Sequence, residues 1–512
     1  MNNSSEYTPI LIAVLVIYVG FNLVLGLYIS KRHSQSEEGR KNSFINNYFI
    51  GGRSMGGIVL AMTLVATFTS ASSFIGGPGV AYEKGLVWVY LSMIQVPTAF
   101  IILGVLGKKF AVISRKTGAV TVNEYLMARY DSKLVLWISS ICLVLFFIAQ
   151  MMSQFIGGAV LFQTITGLPY IYGLALFGIV VILYTSVGGF KAVVTTDTIQ
   201  GIIMVIGGII IMYTVVREAG GLDHMIEKLN HANPKWADIT AGGSVSKSFV
   251  MSFWVLVGLG VLGLPQTAVR GMGFKDTKAL HSAMIYGTIV VGFLMLIMHL
   301  SGVFAPAILQ GEHLKTTDYV IPAVVLKYMN PVVAGLFVAA PLAAVMSTVS
   351  SLLILASATI VKDLYLTYRG KTGTADSEMK GEPCANTGRR KEEKKIAFLS
   401  VFTTLLIGII VFVFTIYPPD IIVWINLFAM GGLECAFFAP IILGLYWKRA
   451  NALGAVASAI CGVASFLIIS NSGFSVGGTT AIVPSIVISI IAFLVGTIIG
   501  KPTRKEILEK FF

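Results

Sequence analysis

Charge is what this chain has least of. Asp, Glu, Lys and Arg make up 12% of its 512 residues, about half of the roughly 25% found in a soluble domain. With 56% hydrophobic residues, a water-soluble fold would lack the polar surface to cover its own core, which excludes soluble enzymes and soluble binding modules. Cysteine is scarce too. Cys142, Cys435 and Cys461 lie in apolar runs and Cys384 in a charged loop, so neither a disulfide framework nor a metal-ligand spacing emerges. The six histidines show no metal spacing either. Long polar stretches are missing: the two longest, Arg217 to Lys247 and Lys362 to Lys395, carry no apolar periodicity with which to build a core. Protease, transferase and phosphate-binding motifs are absent, so no catalytic residue and no organic cofactor is assigned, and the chain does not read as an enzyme.

What is present is a series of apolar runs about 20 residues long, each enough to cross a hydrocarbon core of roughly 30 Å. Thirteen candidate spans fall at about 9 to 29, 56 to 76, 86 to 106, 135 to 164, 170 to 187, 192 to 216, 248 to 265, 280 to 307, 332 to 360, 396 to 416, 421 to 446, 455 to 471 and 481 to 499. The fold expected is an all-α polytopic membrane protein forming a single transmembrane unit. The segment before Pro9 has no Lys or Arg, so the first run reads as a retained span and not as a cleaved signal.

Lys and Arg accumulate on cytoplasmic loops. With the N-terminus outside, 30 of them fall on inner loops and the C-terminal tail, and seven on outer loops (Lys84, Arg217, Lys228, Lys235, Lys247, Lys315 and Lys327). A multi-pass protein of the cell membrane with a cytoplasmic C-terminus is therefore expected. The net charge of +13 is spread over seven cytoplasmic segments, with no nucleic-acid motif and no sign of an obligate protein partner. The basic 362–395 loop (Arg389, Arg390, Lys391, Lys394, Lys395) reads as a solvated topogenic loop, with contact to anionic lipid or a regulator as the alternative.

Irregular backbone inside a membrane survives only where protein or a cavity satisfies it. Span 2 carries hydroxyls at Thr67, Thr69, Ser70, Ser72 and Ser73, followed by Gly76-Gly77-Pro78-Gly79. Hydroxyls compete for helical backbone bonds, so the run predicts a broken, site-forming helix. Close helix packing is the bland alternative. In span 7, Gly258, Gly260 and Gly263 precede Pro265, which predicts a second bend. Spans 2 and 7 are five apart, the spacing of a five-plus-five inverted repeat, and paired interrupted helices point to a transporter's binding site. In span 9, Ala344, Ser347 and Thr348 share a helical face. Their two hydroxyls and a carbonyl, with opened carbonyls of span 2, would suit a hard monovalent cation such as sodium; on their own they would read as packing.

Few ionisable groups lie within spans. Asp197, three residues before Gln200, reads as a helix cap for span 6 and equally as part of an ion pathway. Glu434 follows Gly431-Gly432 in span 11 with no basic neighbour. Gln95, Gln154, Trp254 and Asn426 are candidates for the wall of a solute cavity, each with interhelical bonding as the alternative. His299 reads as structural.

The chain resembles the sodium:solute symporter family along nearly its whole length. The resemblance rests on Gly52-Arg53-Ser54, Gly188-Gly189-Phe190-Lys191-Ala192 through Asp197 and Gln200, Ala343-Ala344-Val345-Met346-Ser347-Thr348, and Gly444-Leu445-Tyr446-Trp447-Lys448-Arg449. It implies thirteen helices, an inverted-repeat core of helices 2 to 11 (about residues 53–447), peripheral helices 12 and 13 (about 455–499) and a cytoplasmic tail (500–512). It also implies sodium-driven symport by alternating access. Carried over, the family's sodium site would use the carbonyls of Ala66, Thr69 and Ala344 and the hydroxyls of Ser347 and Thr348. Solute-cavity candidates are then Thr67, Ser70, Ser72, Gln95, Gln154, Trp254, Val257, Val261, Pro265, Asn426 and Glu434, with Arg53, Asp197 and Arg270 as candidates for the ion pathway or gates. The proline-transporting branch has Asp where this chain has Phe68 and an aromatic where it has Val261. Ser70 to Gly79, Gln154 to Ala159 and Gly263 to Arg270 look like the pantothenate branch instead, which makes pantothenate the expected cargo. Another carboxylate, an amino acid or a sugar, coupling to protons, and a transporter-like membrane sensor are the alternatives.

Overall fold

The computed structural model describes residues 4–35, 48–49, 53–310, 312–369, 386–418, 422–473 and 477–512. Gly52, Cys384 and residues 370–385 of the basic loop lie outside the described residues, as do the side chains of Arg389, Arg390 and Lys391. Among the described residues the chain is built of helices, and ten of them are long and apolar enough to cross a membrane.

Two further spans are bent pairs. Span 2 consists of Gly57–Phe68 and Ser72–Lys84, inclined at 65°, and span 7 of Lys247–Gly263 and Pro265–Met272, inclined at 51°. The thirteenth span is hidden in the helix Tyr170–Ala219. At 50 residues and about 1.5 Å per residue, it would be more than twice as long as the bilayer core is thick. Gly189 divides it with φ 64° and ψ −174°, a conformation that a side chain disfavours. Spans 5 and 6 therefore meet at Gly189.

Both bends have local causes. In span 7 the ring of Pro265 drives the preceding Leu264 out of the helical region, to φ −86° and ψ 113°, and Pro265 then opens the second half, where its missing N–H costs nothing. In span 2 the chain becomes extended at Thr69, with φ −80° and ψ 120°, and resumes with a π-helical turn over Ser72–Gly76.

Span 9 lies at the centre. Over its most apolar stretch Pro331–Leu366 is 83% buried and Ile422–Tyr446 (span 11) 72%, against 33% for Pro9–Arg32 (span 1) and 33% for Ala452–Ser472 (span 12). Spans 12 and 13 pack on each other and on span 11, and span 1 packs on spans 5, 6 and 9. The C-terminal carbonyls of span 11 are closed by Arg129 of the short helix Val122–Tyr130: its Nε donates to Gly444 O at 2.7 Å and its Nη2 to Trp447 O at 3.0 Å, a cation placed at the negative end of a helix.

Spans 6 and 9 approach so closely at Gly207 that a Cβ there would overlap the Ala340 Cβ. Gly207→Val is expected to cost about 1–3 kcal/mol through overpacking, seen as a lowered melting temperature in detergent; an unchanged melting temperature would contradict this packing.

Candidate functional site

The break in span 2 leaves carbonyls without their usual helical partners, because the N–H groups that would reach them are engaged elsewhere. Ser70 N donates to Ser73 Oγ (3.4 Å), Ala71 N to Gln154 Oε1 (2.9 Å) and Ser73 N to Ser70 O (3.0 Å). The freed carbonyls of Ala66 and Thr69 instead face span 9. Ser347 Oγ lies 3.0 Å from Ala66 O and 3.1 Å from Ala344 O, while Thr348 Oγ1 lies 3.4 Å from Thr69 O and 2.9 Å from Ala344 O.

The structure thus brings together all five residues that the sequence nominated for sodium, and all five are buried. Each hydroxyl has one hydrogen to share between two carbonyls, so some of the freed carbonyl lone pairs go unmatched. A small monovalent cation satisfies three carbonyls and two hydroxyl oxygens at once; the donor set is neutral, hard and oxygen-only, which suits sodium.

Immediately beyond this cluster is a cavity of about 50 Å³, walled by spans 2, 3, 7, 8 and 11. That is room for a few waters, so a solute enters only if the walls move. Ser70, Ser72, Gln95, Val257 and Asn426 line it, as do Phe68, Trp88, Phe253 and His299, the last read from sequence as structural.

The other cavity candidates sit elsewhere. Thr67 donates back to Thr63 O at 2.7 Å. Gln154 is the acceptor for Ala71 N, a cap for the broken helix. Trp254 packs against Tyr90, with ring centroids 5.2 Å apart. Val261 is enclosed in the apolar core, and Pro265 opens the second half of span 7. Glu434 is fully buried against Gly260, with neither carboxyl oxygen hydrogen-bonded among the described residues.

Asp197 lies well past Gly189, inside the helix, so it does not cap span 6. Its Oδ2 accepts from Thr63 Oγ1 at 2.8 Å and faces Arg270 Nη2 at 3.7 Å, both side chains being fully buried. Gln200, expected as its capping partner, donates to Asn22 Oδ1 instead at 2.8 Å. Arg270 also donates to Ser351 Oγ (2.6 Å) and to Gln266 O (3.0 Å), which ties spans 2, 6, 7 and 9 together. Arg53, just before span 2, donates to Ser114 O at 3.1 Å and Ala119 O at 3.0 Å, anchoring that entry to the end of the helix that continues span 3 and the turn after it.

Removing one member of a buried pair strands the other. Asp197→Asn and Arg270→Gln are each expected to cost about 3–5 kcal/mol, and the double variant less than their sum. Thermal unfolding in detergent measures this, and strictly additive losses would contradict the pairing.

Residues 48–462 match the model of the sodium:solute symporter family. The chain is 44% identical to the sodium/pantothenate symporters of Haemophilus influenzae and Escherichia coli, over 96% of its own length and 96% of each of theirs. It is 28% identical to an osmoregulated proline transporter of Bacillus subtilis, over 98% of this chain and 97% of that protein. A Na+-coupled sialic acid symporter, solved in a substrate-bound outward-open state, superposes with a TM-score of 0.75 at 20% identity, covering 97% of this chain and 98% of that one. The fold therefore has a solved counterpart, and the chain belongs to the sodium:solute symporter family.

Proposed function

We propose that this protein carries pantothenate into the cell together with sodium, by alternating access around the cavity between spans 2, 3, 7, 8 and 11. The observation that carries the coupling is the cluster of five oxygens between the broken span 2 and span 9, directly beside the cavity. The cargo is supported by the pantothenate symporters being 44% identical to the chain where the proline transporter is 28% identical.

Coupling follows from chain connectivity. A sodium ion takes the carbonyl oxygens of Ala66, Thr69 and Ala344, and the hydrogens of Ser347 and Thr348 turn away from it. Ser70 follows Thr69 directly and lines the cavity, as do Ser72 and Ser73, so the ion fixes the turn whose hydroxyls meet the solute. Sodium thereby favours the state competent for solute, the differential affinity that any coupled transporter needs. The cavity must widen to admit the solute and close behind it, and the bends at Thr69 and Leu264 are where spans 2 and 7 yield. Spans 2 to 11 form the moving core, with 1, 12 and 13 at its edge. The N-terminus lies outside and the C-terminus in the cytoplasm, a reading supported by the 30 basic residues this puts on inner segments against seven on outer ones. One sodium with one monoanion is electroneutral and draws only on the concentration gradient; each further cation adds about 2.3 kcal/mol per 100 mV.

Purified protein in liposomes with an imposed inward sodium gradient is expected to accumulate labelled pantothenate, with none accumulated when potassium replaces sodium. Absence of sodium-dependent accumulation would overturn the assignment. The double variant S347A/T348A is expected to raise the half-saturating sodium concentration at least about tenfold, roughly 1.4 kcal/mol. An unchanged sodium dependence would remove span 9 from the ion site.

A further inference from the structure

Among the residues lining the cavity, His299 is the one that can carry a positive charge. It sits on span 8, 4% exposed. Its Nδ1 lies 2.6 Å from Met295 O. A carbonyl only accepts, so Nδ1 holds its hydrogen there, and in the neutral ring Nε2 is left as a bare acceptor. Nε2 faces Gly77 at the start of the outer half of span 2, where a Cβ would stand 2.5 Å from it. Glycine at this position gives the imidazole its place against the broken helix, on the wall that also carries Ser72 and Asn426.

The other residues lining this cavity offer a carboxylate hydroxyls, amides and apolar surface, so apart from the sodium of the adjoining site nothing but His299 can offset a full negative charge removed from water. Resting on the assignment of the cavity to a monocarboxylate, we propose that His299 Nε2 binds the carboxylate of the solute and takes up one proton as it does so. The proton passes from solvent to Nε2, Nε2–H donates to a carboxylate oxygen, and Nδ1–H stays on Met295 O. The O–H bond of the hydronium or buffer acid that supplies the proton breaks as the new N–H forms, and no other covalent bond changes. The imidazolium and carboxylate together are neutral, which is far less costly to close in than a lone anion.

The charged groups on the elements around span 8 leave this role to His299. Asp318 stands beside Gly76 and is already engaged. Glu434 lies against Gly260, outside the lining of the cavity. Asp197 of span 6 faces Arg270, and Lys191 of that span is engaged as well. At the span ends Glu83 pairs with Lys84 and Arg217 with Glu218, while Tyr82 stands at the outer end of span 2 and Tyr90 of span 3 packs on Trp254. The span 3 stretches Leu86–Ser92, Met93–Gln95 and Thr98–Ile102 carry no charge.

The test compares pantothenate with the corresponding alcohol, in which CH2OH replaces the carboxylate, in proteoliposome uptake driven by an inward sodium gradient between pH 5.5 and 8.5. In the unmodified protein the KM for pantothenate is expected to rise towards about tenfold per pH unit above the titration of His299, while the inhibition constant of the alcohol stays flat. His299→Gln, which cannot take up a proton, is expected to raise the pantothenate KM at acidic pH about tenfold or more, to abolish its pH dependence, and to leave the alcohol unaffected. A His299→Gln variant with an unchanged pantothenate KM and pH profile would overturn the proposal. So would parallel pH profiles for pantothenate and the alcohol in the unmodified protein, a result that needs no variant to fold. If the unmodified protein shows no sodium-driven pantothenate uptake, the cargo assignment itself has failed; if uptake is present but indifferent to His299, only the carboxylate anchor has.

Discussion

A carbonyl freed inside a membrane must find a partner within the protein, because no water is there to take it. The break at Thr69 creates this demand in the middle of span 2. Gln154 of span 4 answers it on the donor side by accepting from Ala71 N, and Ser347 and Thr348 of span 9 answer it on the acceptor side. Three spans distant in sequence are held in register by the defect in one of them. Because the hydroxyls divide themselves between two carbonyls each, the arrangement closes the protein without saturating it, which is the condition for a cation to bind reversibly.

Span 9 links this cluster to a second polar layer. Ser351 lies one turn beyond Ser347 on the same face and accepts from Arg270, whose partner Asp197 in turn accepts from Thr63, on the first half of span 2. Movement of the first half of span 2 therefore disturbs both layers together. Ser347, Thr348 and Ser351 give span 9 specific partners on spans 2 and 7 and, through the Asp197–Arg270 pair, on span 6, where dispersion contacts alone would permit sliding.

Much of this was legible in the sequence because it is local. Apolar runs set the spans, Pro265 bends span 7 through its own ring, and the spacing of Ala344, Ser347 and Thr348 places them on one face whatever the rest of the fold does. Helix continuity across Gly189 hides one span from any rule based on uninterrupted helices, while the hydropathy dip at Gly188-Gly189 separates the two correctly. What was not legible depends on contacts between distant segments. Gln154 reads as an interhelical hydrogen-bonding residue or a cavity residue, and it is the former; nothing near it in sequence reveals that its partner is the start of a helix more than eighty residues earlier. Asp197 with Gln200 has the look of a helix cap, but the helix already runs on from Gly189 and the partner of Asp197 is Arg270 of span 7. His299 gave one usable signal, being an ionisable group inside a span, but its position on the cavity wall follows from Gly77 on another helix.

The account turns on sodium replacing the hydroxyl–carbonyl contacts at the span 2 break. Hydrogen–deuterium exchange measured in sodium and in potassium reads that replacement directly. Slower exchange in sodium is predicted for the amides from Thr69 to Ser73 and from Ala344 to Ser351, with peripheral spans 12 and 13 unaffected. Equal exchange of both segments in the two salts would contradict it.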